Sequence, residues 1–334
     1  MTRFVLARLA GLAGILVVLV AVVFVIQSVV PNDPARTIAG RSASPAAVER
    51  VRHELGLDES LPVQFGHYVG RLAQGDLADS VSTRRPVADD LRDTVPASLE
   101  LLFCAALLCM LLGLAGGILT ALPGARSGAL RGGMIVAASI PNFCLAVLAL
   151  LFLYDRLGWF PGAGRVGPDT AAPDGPTGSV LLDSLLHADP AVFFDGLHHV
   201  ALPALCLAVG PAMLIARTLR SALLVALASD YARTARAKGL TETQVLVRHG
   251  VRNALGAPLT IGGLQVGAML AGIAVVETVF AWPGLGQYTT RAISQQDFPA
   301  IAGITLVTGV VFVIANALVD VAQVAADPRL RPAK

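Results

Sequence analysis

Charged side chains are scarce in this sequence. Only 14% of its 334 residues are Asp, Glu, Lys or Arg, whereas 55% are hydrophobic and the mean hydropathy is +0.69. A soluble domain carries about 25% charged residues, so this chain lacks the polar surface that would cover a globule in water. The formal net charge of +2 is too small to indicate a nucleic-acid partner. The composition therefore predicts a protein that lies largely in a lipid membrane.

Motifs for metal, redox and nucleotide chemistry are also missing. The four cysteines lie inside apolar runs without CxxC spacing, which favours packing over metal or redox roles. The two lysines, Lys238 and Lys334, are not part of a GxxxxGK[ST] phosphate loop. No HExxH or GxSxG motif occurs, and GAGRVG at residues 162–167 is a chance match, since it follows a predicted span and not a strand. We therefore expect neither catalytic nor metal-binding residues.

Six uncharged apolar runs are long enough to cross a bilayer as helices. A spanning helix needs about 20 apolar residues, within a range of about 17–25. The first run is longer than the core of a signal peptide and has no A-x-A-like cleavage site, so we expect it to be retained. Helices are expected because backbone polar groups must be satisfied within the bilayer. The runs cover residues 9–26, 101–122, 132–154, 200–216, 254–276 and 298–319.

Basic residues collect on one side of these predicted spans. If both termini are cytosolic, the cytosolic segments hold 14 basic residues against three acidic ones, as the positive-inside rule requires. We therefore expect a multi-pass protein of the cell (inner or plasma) membrane with both termini in the cytosol. Helices are predicted at residues 45–55 and 62–73 of the first outer segment. The sequence predicts four parts. Residues 1–30 form the cytosolic start and the first span, and residues 31–95 form an extracytoplasmic segment. Residues 96–326 form the permease core with the other spans, and residues 327–334 form a cytosolic tail.

The cytosolic segment between the fourth and fifth spans, residues 217–253, combines basic charge with small residues at helical spacing. Gly239 suits the end of one helix, and Thr241 can cap another helix that begins at Glu242. A basic loop held against anionic lipid would explain the charge but not this helix–glycine–helix plan. Because small residues let another surface approach the backbone closely, we favour a docking helix.

Two stretches resemble the permeases of ABC-type importers for dipeptides, oligopeptides and nickel. DYARTARAKGL at residues 230–240 resembles the family's EAA loop, and RNAL at residues 252–255 continues the match. The sequence departs from the family where Ala257 stands in place of a proline and Pro258 follows. ETVFAWPGLG at residues 277–286 resembles the loop after the fifth span. Shorter matches are PNDP at 31–34, ELGLD at 54–58, LPVQ at 61–64, LGWFP at 157–161, LPAL at 202–205 and DPR at 327–329.

The resemblance implies an all-α permease similar to type I importers, with six transmembrane helices, cytosolic coupling helices and a small extracytoplasmic subdomain. Contact with an ATPase is implied for Asp230, Tyr231, Ala232, Arg233, Ala235, Arg236, Lys238, Gly239 and Leu240. Contact with a binding protein or the mouth of the pathway is implied for Glu277, Trp282, Pro283, Gly284, Leu285, Gly286 and Gln287. For Trp282, an anchor at the membrane interface is the alternative.

The resemblance also implies partners. These are a second homologous permease subunit, one or two cytosolic ATPase subunits that bind ATP and Mg, and an extracytoplasmic solute-binding protein. The chain itself would carry no cofactor and would not be an enzyme. The implied solutes are di- and oligopeptides, with nickel or another small solute as the alternative. A secondary transporter and an intramembrane enzyme are further alternatives, although no predicted span has a charge near its centre and all six histidines lie outside the spans.

The charge asymmetry predicts opposite exposure for two single-cysteine variants. In a background without the four native cysteines, Ser44→Cys should react with an impermeant thiol reagent on intact cells. Thr241→Cys should react only after the membrane is opened. Labelling of Thr241→Cys but not of Ser44→Cys on intact cells would mean that the orientation is reversed.

Overall fold

A computed structural model describes residues 2–29, 44–54, 56, 58–122 and 125–326. Over these residues the fold is helical, and the extended backbone is limited to one isolated bridge between Asp79 and Pro86. The PNDP and DPR motifs lie outside the described residues. The all-α fold class is therefore confirmed for the described part of the chain.

The helices are numbered here in chain order. The first outer segment contains two of them, at the positions predicted from the sequence. Their bounds are α1 Thr2–Val29, α2 Pro45–Glu54, α3 Leu61–Ala73, α4 Val87–Ala121, α5 Ala125–Ser139, α6 Asn142–Ala149, α7 Val180–Leu186, α8 Pro190–Leu227, α9 Asp230–Ala237, α10 Glu242–Val245, α11 Arg252–Ala254, α12 Gly256–Val279, α13 Leu285–Ser294 and α14 Phe298–Ala326. Two π-helical stretches, Leu150–Arg156 and Leu246–Val251, continue α6 and α10.

Four helices of the described residues are long and apolar enough to cross a membrane. They are α4, α8, α12 and the Phe298–Val319 part of α14. The pair formed by α5 and α6 with its π-helical continuation makes five if it counts as one span, and Ala13–Ser28 of α1 is a shorter apolar helix. A multi-pass membrane protein is thus confirmed, whereas six spans remain a prediction.

The third predicted span is broken and not straight. Residues Gly128–Ser139 and Asn142–Arg156 meet at an angle of 106°. Pro141 has no backbone N–H, and its ring disfavours a helical conformation at Ile140, so the helix ends before it and restarts after it. An uncharged apolar run gives no sign of this break unless the proline is weighed against its length.

The chain divides into two compact units, Met1–Asp93 with Thr289–Val313 and Thr94–Tyr288 with Ile314–Lys334. The second unit is built around α8, whose apolar side chains include the fully buried Leu207, Ile215 and Leu219. Two glycines of α4 allow close packing here, because a Cβ at Gly113 would lie 2.6 Å from Ile215 and one at Gly117 would lie 2.8 Å from Leu219. Pro203 and Pro211 lie inside α8.

The first unit joins α1 to its outer elements through apolar and polar contacts. The rings of Phe24 on α1 and Phe65 on α3 have centroids 5.3 Å apart. Asp297 precedes α14, and its buried carboxylate accepts a hydrogen bond from the amide of Ala300 at 3.2 Å, as a helix cap does. It also accepts hydrogen bonds from Ser80 Oγ at 2.6 Å and from the amide and hydroxyl of Ser82 at 2.9 and 2.8 Å. One carboxylate thus fixes the loop before α4 to the start of α14.

This carboxylate makes the stability of the protein depend on pH. Burial raises the pKa of Asp297, but the hydrogen bonds that it accepts lower it by more, so the pKa lies below its ordinary value. The stabilisation is therefore present above the ordinary carboxyl pKa and is lost as the pH falls through the lowered folded value. Asp297→Asn should reduce the free energy of unfolding by about 1–3 kcal/mol near pH 7, because one acceptor oxygen is replaced by a donor.

Unfolding of the purified protein in detergent measures this effect, and Asp93→Asn is the matched control. Asp93 is exposed and paired with Arg85, so its replacement should cost less than about 0.5 kcal/mol. The difference between parent and Asp297→Asn should shrink as the pH is lowered. A loss for Asp297→Asn no greater than for Asp93→Asn would contradict the role given to this carboxylate.

Candidate coupling and loop sites

The coupling segment, residues 230–240, folds as the short helix α9 followed by a turn. The helix ends at Ala237, and Gly239 has a φ of +85°, which favours glycine. Thr241 then caps α10 in a capping box, with Gln244 as its partner. The helix–glycine–helix plan predicted from the sequence is therefore confirmed.

Arg236 fixes α9 to the helices on both sides of it. Its guanidinium donates to the carbonyl of Leu227, at the end of α8, at 3.0 Å. It also donates two hydrogen bonds, of 2.6 and 3.1 Å, to the carboxylate of Glu242 at the start of α10. These bonds lower the pKa of Glu242 and raise that of Arg236, so both groups stay charged. The coupling segment therefore has a fixed position relative to α8.

The docking interpretation assumed that the small residues of α9 face outward, but two of them do not. Ala232 and Ala235 are buried against Val245, with Leu227 and Leu240 packed beside them. The small side chains thus let α9 lie close to its own chain. The exposed residues of the coupling segment that remain for a partner are Asp230, Tyr231, Arg233, Thr234, Ala237, Lys238 and Gly239.

An open groove of about 570 Å³ lies beside this exposed surface. It is lined by Gly239, Leu240, Thr243, Gln244, Val247 and Arg248. No atom lies within 4 Å of the position that a Cβ would take at Gly239. The glycine therefore serves the turn, and it leaves one wall of the groove without a side chain.

The tryptophan loop, residues 277–287, is organised by a buried carboxylate. Glu277 at the end of α12 accepts hydrogen bonds from Ser98 Oγ on α4 at 2.5 Å and from the amides of Gly286 and Gln287 at 2.6 and 3.3 Å. The Ser98 hydroxyl in turn accepts from the amide of Leu285 at 2.7 Å. Side chains at positions 284 and 286 would overlap Glu277 or Ala274, so both glycines are needed for this close approach.

Trp282 points into the protein and not out of it. Only 1% of the residue is exposed, and its indole N–H donates to the carbonyl of Ala97 at 2.9 Å. Glu277 is likewise fully buried, and Gly284, Leu285 and Gly286 are buried with it. The exposed residues of the loop are Thr278, Ala281 and Pro283, and Gln287 is half-buried. Contact between this loop and a binding protein stays a prediction.

An ion pair that the sequence did not predict supports the tryptophan loop. Arg165 lies in the second predicted outer segment, residues 155–199. It is paired with the buried Glu100 on α4, and its guanidinium lies 5.9 Å from the centre of the Trp282 ring. Glu100 also accepts hydrogen bonds from the amides of Val180 and Leu181 at the start of α7. The only signal in the sequence was a carboxylate at the border of an apolar run, with no indication of its partner 65 residues away.

Within the described ranges, no cluster of three or more His, Cys, Asp or Glu side chains could hold a metal ion. The one carboxylate of the tryptophan loop, Glu277, accepts hydrogen bonds from backbone and hydroxyl donors, and Arg236 is paired with Glu242. The arrangement can position surfaces and hold them rigid.

Burial of Trp282 predicts unequal roles for the two tryptophans of the chain. Trp282→Ala should lower the free energy of unfolding in detergent by about 3–5 kcal/mol, because it removes a buried indole. Trp159→Ala is the matched control and should have little effect, since 61% of Trp159 is exposed. In Trp159→Phe the remaining tryptophan emission should resist quenching by acrylamide. Equal losses, or an easily quenched Trp282, would contradict the interior position.

The chain matches two family models that together cover nearly its whole length. Residues 113–332 match the binding-protein-dependent transport system inner membrane component, and residues 1–101 match the N-terminal region of such membrane components. The N-terminal match covers the first outer segment, and the other covers the coupling segment and the tryptophan loop.

Named relatives align over most of their own length as well. The chain is 42% identical over 309 residues to a probable D,D-dipeptide transport system permease protein of Escherichia coli K12, which covers 92% of this chain and 91% of the relative. It is 38% identical to a di/tripeptide transport system permease protein of Pseudomonas aeruginosa UCBPP-PA14 and 36% identical to a glutathione transport system permease protein of Escherichia coli O6:H1, each over 99% of both chains. This chain belongs to the family of inner membrane components of binding-protein-dependent transport systems.

Proposed function

We propose that this chain is a permease subunit of an ATP-driven importer and forms part of the translocation pathway for short peptides. The observation that carries the proposal is full-length similarity to permeases named for D,D-dipeptides, di/tripeptides and glutathione, which are all short peptides. In this proposal a second homologous permease completes the pathway. An extracytoplasmic binding protein delivers the peptide, and cytosolic ATPases bind the ATP and Mg. The permease itself then performs no catalysis.

The six-span topology with cytosolic termini belongs to this proposal. It is supported by the charge bias of the sequence and by the four or five candidate spans among the described residues. The apolar helix Ala13–Ser28 in α1 supplies the first span. Side chains on it are largely exposed, including Val17 at 64% and Val18 at 62%, as expected for a surface that faces lipid.

The coupling segment is the proposed seat of an ATPase. Arg236 ties it to α8 and α10, so a push on α9 is passed to both helices without a flexible joint. The exposed Tyr231 and the open groove beside Gly239 provide an aromatic anchor and a recess for a partner side chain. Lys238 and Arg248 beside the groove suit an acidic partner surface.

The tryptophan loop is the proposed contact for the binding protein or the mouth of the pathway. Buried contacts of Glu277 and Trp282 hold the backbone, and this presents Ala281 and Pro283 in a fixed shape. A rigid loop loses little conformational entropy when a partner binds to it.

Reconstitution tests the proposed function directly. Proteoliposomes that contain this chain, its partner permease and the ATPases should take up a labelled dipeptide when the binding protein and ATP are present. Uptake should stop when ATP is replaced by a non-hydrolysable analogue. Uptake of nickel but not of dipeptides would contradict the peptide assignment, and uptake driven by an ion gradient without ATP would contradict the importer class.

Replacement of Gly239 tests the seat of the ATPase. Gly239→Val should insert into the membrane but lose ATPase co-purification and ATP-dependent uptake, because valine is strained at a φ of +85°. Gly239→Asn is the matched control and should keep both, since asparagine tolerates this conformation. Ala237→Val, two residues earlier at an exposed helical position, controls for added bulk. Normal co-purification and uptake with Gly239→Val would contradict the docking role.

A further inference from the structure

Two carboxamide side chains of the second unit lie in helices that belong to the candidate spans and have no hydrogen-bond partner among the described residues. Asn142 is the first residue of α6, and Gln265 lies near the middle of α12. Both are half-buried, and neither donates to nor accepts from another described residue. The hydroxyl groups of Thr218 on α8 and Thr260 on α12 differ in this respect, because they donate to the carbonyls four residues before them. The two amides therefore keep their hydrogen-bonding capacity free.

Both amides border one surface formed by α8 and α12. The Nδ2 atom of Asn142 lies 3.4 Å from the Cβ position of Gly272 on α12, and its Oδ1 atom lies 3.8 Å from that of Gly210 on α8. Gln265 precedes Gly272 by seven residues, or about two helical turns, so the two positions share a face of α12. Ala268 lies between them on the same face. The surface thus has two amides, with glycine and alanine between them.

This surface is unsuited to lipid. An amide group in hydrocarbon without a hydrogen bond is costly, and the membrane core offers no partner. The break at Pro141 places Asn142 at the start of a helix inside an apolar run. The two amides are also uncharged, so they do not select solutes by charge. Their free groups match water or another amide.

We propose that Asn142 and Gln265 line the translocation pathway and hydrogen-bond the main-chain amides of a peptide in transit. The inference rests on the proposed peptide function and adds the residues and the mode of recognition. A carboxamide donates to a peptide carbonyl and accepts from a peptide N–H, whatever the side chains of the solute. The glycines at 210 and 272 let the Asn142 amide lie close to the backbones of α8 and α12. A pathway lined by these two amides accepts short peptides with different side chains and excludes none by charge.

Thiol accessibility tests whether Asn142 and Gln265 line a water-filled pathway. In the complete complex, with the four native cysteines replaced by alanine, Asn142→Cys and Gln265→Cys should react with a charged methanethiosulfonate reagent. Phe143→Cys and Leu264→Cys are the adjacent controls, because these side chains are 54% and 61% exposed on other helical faces. They should react at least about tenfold more slowly if those faces meet lipid. Equal or faster labelling of the controls, or no labelling of Asn142→Cys and Gln265→Cys, overturns the proposal.

Charge substitution tests the contact with the solute. Gln265→Glu and Asn142→Asp keep the side-chain shape and add one negative charge. Each should raise the ratio of uptake of a lysine-containing dipeptide to that of a glutamate-containing dipeptide by about tenfold. Gln265→Leu should reduce uptake of both dipeptides by a similar factor. An unchanged ratio in both carboxylate variants, with ATPase co-purification intact, overturns the proposal in favour of a structural role or a contact with the second permease.

The two proposals fail in different ways. If the parent complex transports no dipeptide, the proposed function is wrong, and the thiol-labelling pattern still shows whether this surface meets water. If the parent transports dipeptides but labelling and charge preference do not follow the pattern above, only the assignment of Asn142 and Gln265 is wrong. Variants that do not assemble are detected by loss of ATPase co-purification, and the labelling result then decides.

Discussion

The carboxylate of Glu277 holds together the parts of the second unit on which the tryptophan loop depends. It joins the end of α12 to Ser98 on α4 and to the backbone after Pro283, all in a buried position. A buried carboxylate without such donors would be strongly destabilising, so the loop and the acid require each other. The need for glycine at positions 284 and 286 follows from this arrangement. Arg165 and Glu100 extend it to the second outer segment.

Hydrogen bonding also distinguishes the polar groups of the apolar helices. Within the apolar runs, the hydroxyl of Thr260 is satisfied within its own helix, whereas Asn142 and Gln265 have no side-chain hydrogen bond among the described residues. Gly113 and Gly117 let α4 pack closely against α8. In a membrane such close packing stabilises helix association, because apolar surface alone does not drive helices together in lipid. The apolar residues thus make the helices suited to a membrane, the glycines allow close helix packing, and the two amides offer hydrogen-bonding groups.

Local features of the fold could be predicted from the sequence, and distant contacts could not. The turn at Gly239, the helix cap at Thr241 and the helices α2 and α3 depend on residues a few positions apart, and the structure confirms them. The direction in which Ala232 and Trp282 point depends on partners in other helices, so periodicity gave no access to it. The break at Pro141 was visible as a residue but was outweighed by the length of the apolar run. Similarity to known permeases identified the coupling segment and the tryptophan loop, but not the contacts that shape them.

The long helix α8 gives the molecule a mechanical axis. Its 38 residues extend for roughly 57 Å, from the second outer segment to the carbonyl of Leu227, to which Arg236 is bound. A rod of this length converts a small rotation at its base into a displacement of several ångströms at its far end. Pro203 and Pro211 each remove one backbone hydrogen bond from its middle, so the rod is most compliant there. The two ends of α8 are thus linked by a lever whose bending point lies at the depth of Gly210 and the free amide of Asn142.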